Sequence, residues 1–192
     1  MAGCRALTDE EVRLISRSFG GRYAARDRAL FLVGVWTGYR ISELLSLRVG
    51  AVWQHGQVVD VVTVARRHMK GKHTSRSMVL HPDAKAALTA WLRAMPMPHG
   101  PETYLFGSRE GQNRPLQRVQ AWQILHDAYE TNQLRGRLGS HSMRKTFAAR
   151  LYAKTHDIKT VQRALGHRFI ATTDRYLESV TDEALFKTVL SL

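Results

Sequence analysis

Leu165-Gly166-His167-Arg168-Phe169-Ile170-Ala171-Thr172-Thr173-Asp174-Arg175-Tyr176 sets a tyrosine nine positions after a Leu-Gly-His turn. Gly166 is a natural helix stop, so His167 falls in a short turn and Tyr176 in the segment that follows it. Just upstream, His141-Ser142-Met143-Arg144 places an imidazole and a guanidinium at i and i+3, on one face of a helix. Much earlier, Thr37-Gly38-Tyr39-Arg40-Ile41-Ser42-Glu43 puts Arg40 just after a glycine-containing turn. Arg40 is expected at a helix N-terminus, where backbone N–H groups also favour an anion. A phenol, two histidines and two spaced arginines are the groups that chemistry at a phosphodiester requires. The phenol is a nucleophile, the arginine forks fit non-bridging oxygens in pairs, and the imidazoles hold or move protons. Glu43, three residues after Arg40, is placed to orient an arginine or histidine. Taken singly each has a blander reading, as a surface arginine, a helix-surface ion pair, a capping histidine or a core tyrosine. Their order and spacing argue for function.

The rest of the chain reads as one mainly helical domain with a small antiparallel β-sheet, an α+β fold. Thr8-Asp9-Glu10-Glu11 carries a capping-box pattern that opens a first helix, and Gly20-Gly21 breaks it. Helical spacing then runs over Arg26 to Trp36, Ile41 to Leu47, Pro82 to Arg93, Leu116 to Tyr129, His141 to Lys154 and Ile158 to Leu165. Val58 to Val64 and Arg76 to Leu80 read as the two strands of a hairpin. Its basic tip is Lys70-Gly71-Lys72-His73-Thr74. The domain is expected to occupy 1–192, with a core over about 8–180. A C-terminal helix over about 181–192 carries Ala184, Leu185, Phe186, Val189 and Leu190 as an apolar stripe.

Composition narrows the partner. Lys and Arg number 29 against 16 Asp and Glu, a formal net charge of +13, which favours a polyanion. No apolar run is long enough to span a bilayer, and the basic residues are not gathered on one amphipathic helix, so a membrane partner is not expected. The single cysteine, Cys4, excludes an internal disulfide. Nine histidines are scattered without metal-ligand spacing, so no metal is expected. Met1 to Leu7 lacks the apolar core of a secretory signal, and the expected location is the cytoplasm.

The order Arg40-x-x-Glu43, basic hairpin, His141-x-x-Arg144, Leu165-Gly166-His167, Tyr176 resembles the catalytic domain of the tyrosine recombinases, or phage integrases, from about Leu7 to the end. The resemblance implies that fold, and double-stranded DNA as substrate. It implies attack by Tyr176 to give a 3′-phosphotyrosyl link and a free 5′ hydroxyl, with no metal, ATP or other cofactor. Arg40, Arg144 and His167 would hold the phosphate and His141 would assist proton transfer. A hairpin lysine would protonate the leaving oxygen. Lys70, which precedes Gly71, is favoured over Lys72, and Lys70, Lys72, His73 and Arg76 are expected to touch DNA. Family members usually carry a core-binding domain of about a hundred residues before this one, and the reading expects none here. It expects a monomer when free and a tetramer on DNA, with the C-terminal helix able to dock on a neighbouring protomer. Two other readings stand beside recombination: a type IB topoisomerase-like enzyme, and a catalytically idle DNA-binding regulator of the same fold.

Overall fold

The computed structural model describes residues 3–65, 75–95, 100–109 and 113–177. The chain begins with α1 (Asp9–Ser18), which Thr8 caps as its sequence predicts. Thr8 Oγ1 accepts from the Glu11 N–H at 3.1 Å, and Glu11 Oε2 accepts from the Thr8 N–H at 2.8 Å. Leu7, immediately before the cap, is already in the core, and its N–H donates to Thr146 Oγ1 at 2.8 Å.

The helix that organises the molecule is α2 (Ala24–Thr37), which runs through the middle of the core rather than along one side of it. Ala29, Leu30, Phe31, Leu32, Val33 and Val35 are all buried, and a helix apolar on every side must be surrounded. Packed on it are α4 (Pro82–Ala94) and α6 (Ser140–Thr155), with α1 also in contact. Gly34 sets the α2–α6 distance, since a Cβ there would lie 2.7 Å from Met143 Sδ. The close approach carries α6, and with it Arg144, to the end of α2.

That end is Gly38, in the left-handed region at φ 60°, with its N–H bonded to Gly34 O at 3.0 Å. A Cβ on Gly38 would overlap the Phe147 ring, 2.9 Å from its Cγ. Gly38→Ala therefore combines a left-handed backbone penalty of about 1–2 kcal/mol with an overpacking cost of about 1–3 kcal/mol. Urea unfolding is expected to show the sum, a loss of about 3 kcal/mol. Beyond Gly38 the chain turns into the short α3 (Ile41–Leu45), with Arg40 as its N-cap residue.

The β structure is small and differs in one respect from expectation. The predicted strand Val58 to Val64 is two strands in two sheets. β1 (Trp53–Gln54) and β2 (Gln57–Val58) form a tight hairpin in register Trp53↔Val58 and Gln54↔Gln57. Its two-residue turn, His55 at φ 50° and Gly56 at φ 77°, matches the twist that short hairpins demand. This turn draws Val58 into pairing with Trp53, and Asp60 separates it from the second sheet. There β3 (Val61–Val64) pairs antiparallel with β4 (Arg76–Val79), in register Val61↔Val79 through Val64↔Arg76. Val62 and Val64 face inward while Val61 and Thr63 face out.

After α4 the chain returns through α5 (Arg118–Thr131), α6 and α7 (Ile158–Leu165), and residues 170–177 are again helical. The core has two parts. The main one gathers α1 to α5, the strands and Met143 of α6. The smaller one is Ala148, Val161, Leu165 and Leu177, with Phe147, Leu151 and Tyr176 against it. Arg40 and Glu43 thus belong to the larger body, whereas His167 and Tyr176 follow from the smaller. The hairpin tip with Lys70, Lys72 and His73, and the predicted C-terminal helix 181–192, lie outside the described residues. Among the described residues no helix is long and apolar enough to cross a membrane.

Candidate active site at the junction of the two cores

Arg40 reaches the site from the N-cap of α3, its side chain about a quarter exposed. Its guanidinium donates to Glu43 Oε1 at 2.8 Å, and its backbone N–H donates to Glu43 Oε2 at 2.8 Å. The expectation that backbone N–H groups here would help bind an anion is corrected in part. That N–H is already spent on Glu43, while the Arg40 side chain stays partly exposed. Glu43 is fully buried, and its Oε2 also accepts from Arg76 at 3.0 Å. The carboxylate is a bridge between two guanidiniums, not a surface ion pair.

Arg144 sits in the first turns of α6 with only 2% of its surface exposed. One arm donates to Gly38 O in a very short bond and the other to Leu165 O at 2.7 Å. It thereby caps the carboxyl ends of α2 and α7 together, where unpaired carbonyls and the helix dipoles favour a cation. Burial, and then the Arg40 and Arg76 charges, lower its pKa to about 9, which leaves it cationic at neutral pH.

His141 lies at the surface end of the same helix. Partial desolvation and the Arg144, Arg40 and Lys145 charges hold its pKa below the ordinary range. His167 follows the left-handed Gly166 that ends α7. Its Nδ1 lies 3.0 Å from Thr173 Oγ1, and Thr173 is fully buried. Burial, reinforced by Arg144, Arg40 and Arg76, lowers the His167 pKa to about 4. Both imidazoles are therefore neutral at pH 7; in His167 the Thr173 contact occupies Nδ1 and leaves Nε2, which accepts or donates according to the tautomer.

The His167 pKa in the fold lies below its ordinary 6.5, so the unfolded chain takes up a proton that the folded one refuses. The stability this imidazole contributes is fully present above about pH 6.5 and is lost as pH falls toward about 4. Urea unfolding between pH 7 and pH 4 is expected to show declining stability, and His167→Gln should flatten part of that slope.

Tyr176 packs edge-on against His167, with ring centroids 5.5 Å apart and an interplanar angle of 80°. Lys145 Nζ lies 5.4 Å from the Tyr176 ring centroid. The phenolic Oη is buried and, among the described residues, makes no well-formed hydrogen bond, although the Arg144 guanidinium is near enough to act on it. Burial pushes its pKa up, while Arg144 and Arg40 pull against that rise by stabilising a phenolate. Among the described residues the site thus gathers the guanidiniums of Arg40, Arg76 and Arg144 and the Lys145 ammonium around the Glu43 carboxylate and Tyr176.

The fold brings Arg40, Glu43, His141, Arg144, His167 and Tyr176 together. Arg76, expected from the sequence to touch DNA, is buried in this structure. It is 7% exposed, and its guanidinium is taken up by Glu43 and three backbone carbonyls. Thr173 and Lys145 beside His167 and Tyr176 escaped the sequence reading. The small polar Thr173 inside the Leu-Gly-His-to-Tyr interval was the available signal.

The phage integrase family model matches residues 5–183, and the chain belongs to that family. It is 31% identical over 164 residues to "Probable integrase/recombinase YoeC" of Bacillus subtilis, covering 84% of this chain and 83% of that one. It is 33% identical over 198 residues to the tyrosine recombinase XerD of Mycobacterium leprae, covering 94% of this chain and 58% of that one. Among solved structures, the XerH site-specific recombinase bound to palindromic difH substrate in a post-cleavage complex superposes with TM-score 0.74 at 25% identity. That match covers 96% of this chain and 53% of the other, so the chain spans a little over half the length of its Xer relatives.

Proposed function

We propose that this chain is a site-specific DNA recombinase or integrase catalytic domain, which cuts and rejoins DNA strands through Tyr176. The observation that carries the reading is the buried Tyr176 Oη beside the guanidiniums of Arg144 and Arg40, with no well-formed hydrogen bond of its own among the described residues. Such a site has excess positive charge that an anion would neutralise, and a nucleophile held out of water next to it.

In the reaction, Tyr176 Oη attacks a backbone phosphorus as the bond to the 5′ oxygen breaks. Arg40 and Arg144 meet the charge on the non-bridging oxygens. The phenol's proton passes to a neutral imidazole, His141 or His167, and the other donates an N–H to the phosphate. The leaving 5′ oxygen takes a proton from the hairpin, from Lys70 or Lys72. The phosphotyrosyl ester keeps the energy of the phosphodiester, so a 5′ hydroxyl from a partner strand can reverse the step without nucleotide hydrolysis. The similar XerH structure is that of a site-specific recombinase bound to palindromic difH substrate, which supports double-stranded DNA as the partner here. Four chains on two duplexes is the assembly that complete strand exchange would use.

The test is capture of covalent protein–DNA adducts from cells under denaturing conditions, with the attached DNA sequenced. Adducts concentrated at one repeated sequence are expected. Adducts scattered over unrelated sequences would favour a topoisomerase-like enzyme, and none at all would favour an idle regulator.

A further inference from the structure

We infer that Arg76 is a positioning residue for strand cleavage, whose buried guanidinium fixes the half of the site bearing His167 and Tyr176 against the half bearing Arg40. The inference rests on the recombinase reading above.

Arg76 enters from the first residue of β4, opposite Val64, on the inward face of the sheet. One arm of its fork donates to Ala164 O at 3.1 Å and Leu165 O at 2.8 Å, the last carbonyls of α7. The other donates to Glu43 Oε2 at 3.0 Å and Gly38 O at 3.3 Å. The arms therefore point to different bodies. Ala164 and Leu165 end the helix that the smaller core holds, and from which the turn to His167 and Tyr176 departs. Glu43 and Gly38 belong to the larger core and directly fix Arg40 and the end of α2.

Two of these four acceptors, Gly38 O and Leu165 O, are the same carbonyls that Arg144 holds. Arg76 and Arg144 are thus parallel links across one seam. Arg144 has a reason to be there, because it faces the site beside Tyr176. Arg76 lies behind it, stacked at 4.3 Å on the Tyr39 ring. Tyr39 Oη in turn lies 2.8 Å from the carbonyls of Val62 and Arg76, which ties the hairpin to the same seam.

A buried guanidinium is an inefficient way to fill core space, since well-packed apolar side chains usually serve as well or better. What it can do, and they cannot, is hold a carboxylate and three carbonyls from two bodies at fixed distances. Among the described residues the small core that carries the nucleophile is a separate apolar cluster, and the polar links of Arg76 and Arg144 cross from it to the larger one. Those links help set its alignment with Arg40, and in-line attack on phosphorus is sensitive to misalignment.

The experiment compares wild type with Arg76→Lys on a nicked duplex carrying the adduct-enriched sequence. It measures the single-turnover cleavage rate at saturating DNA, the affinity for that duplex, and the urea melt. Lysine keeps the buried charge and can pair with Glu43, but cannot span both bodies. The expected result is a cleavage rate at saturation lowered about a hundredfold, as roughly 1 Å of misplacement produces, with affinity and cooperative melt preserved. A wild-type rate in the variant would overturn the inference. So would a loss confined to affinity with a steeper loss at high salt, which would make Arg76 a DNA contact. A variant without a cooperative melt would also overturn it and assign Arg76 to stability alone. Failure of wild type itself to form any Tyr176-dependent adduct would instead remove the recombinase reading, and this inference with it.

Discussion

Tyr176→Phe is expected to abolish covalent attachment to DNA while leaving DNA binding and folding close to wild type. The substitution removes one oxygen, which is buried and makes no well-formed hydrogen bond among the described residues. At most a weak contact with the nearby Arg144 guanidinium is lost, so the fold should stay close to wild type. Catalysis is a different matter. Removing the nucleophile from a site whose groups act as a unit costs on the order of 10⁴- to 10⁶-fold, which places cleavage below detection. The ring itself, edge-on to His167 and near Lys145, is kept by phenylalanine. Affinity for duplex DNA and the urea midpoint, measured beside adduct yield, check all three expectations together.

Arg144→Lys should be nearly as damaging to the chemistry. Removing one preorganised donor from a developing oxyanion typically costs about 10²- to 10³-fold in rate, and this donor has a second duty. Its two arms hold Gly38 O and Leu165 O, in opposite bodies of the molecule, which a single ammonium cannot span. The guanidinium stays cationic in the neutral range, whereas the burial and the Arg40 and Arg76 charges that lower its pKa would act on a lysine as well, so the variant loses the fork and weakens the charge together. Single-turnover cleavage at saturating DNA is the measurement, with affinity reported separately. A loss in rate with binding largely retained is expected, because duplex affinity is the sum of many phosphate contacts, of which this is one.

Much of this was legible in the sequence because the signals were local. Thr8 and Glu11 announce the start of α1, Gly38 and Gly166 mark helix ends, and the apolar spacing locates α7 to the residue. The site residues were legible for a related reason: their spacing is dictated by the turns and helices that carry them. What escaped depends on distant parts of the chain. The split of Val58 from β3 turns on the His55-Gly56 hairpin, whose positive φ angles compete with an otherwise uniform β-branched run. The all-round burial of α2 follows from α4 and α6 packing on it, which its own spacing cannot reveal. Arg76 is the instructive case. Alternation along Arg76-Ser77-Met78-Val79 sets Arg76 and Met78 on one face, yet a charge beside a basic hairpin invites a surface reading. That its face is the inward one, and that Glu43 waits there, emerges only when residues 33 apart meet.

The most direct test of the account is to digest the purified protein–DNA adduct with protease and nuclease and to map the attachment by mass spectrometry. A nucleotide joined through its 3′ phosphate to the peptide containing Tyr176 is expected, with a free 5′ hydroxyl on the other side of the break. A link to any other residue, or through a 5′ phosphate, would contradict it.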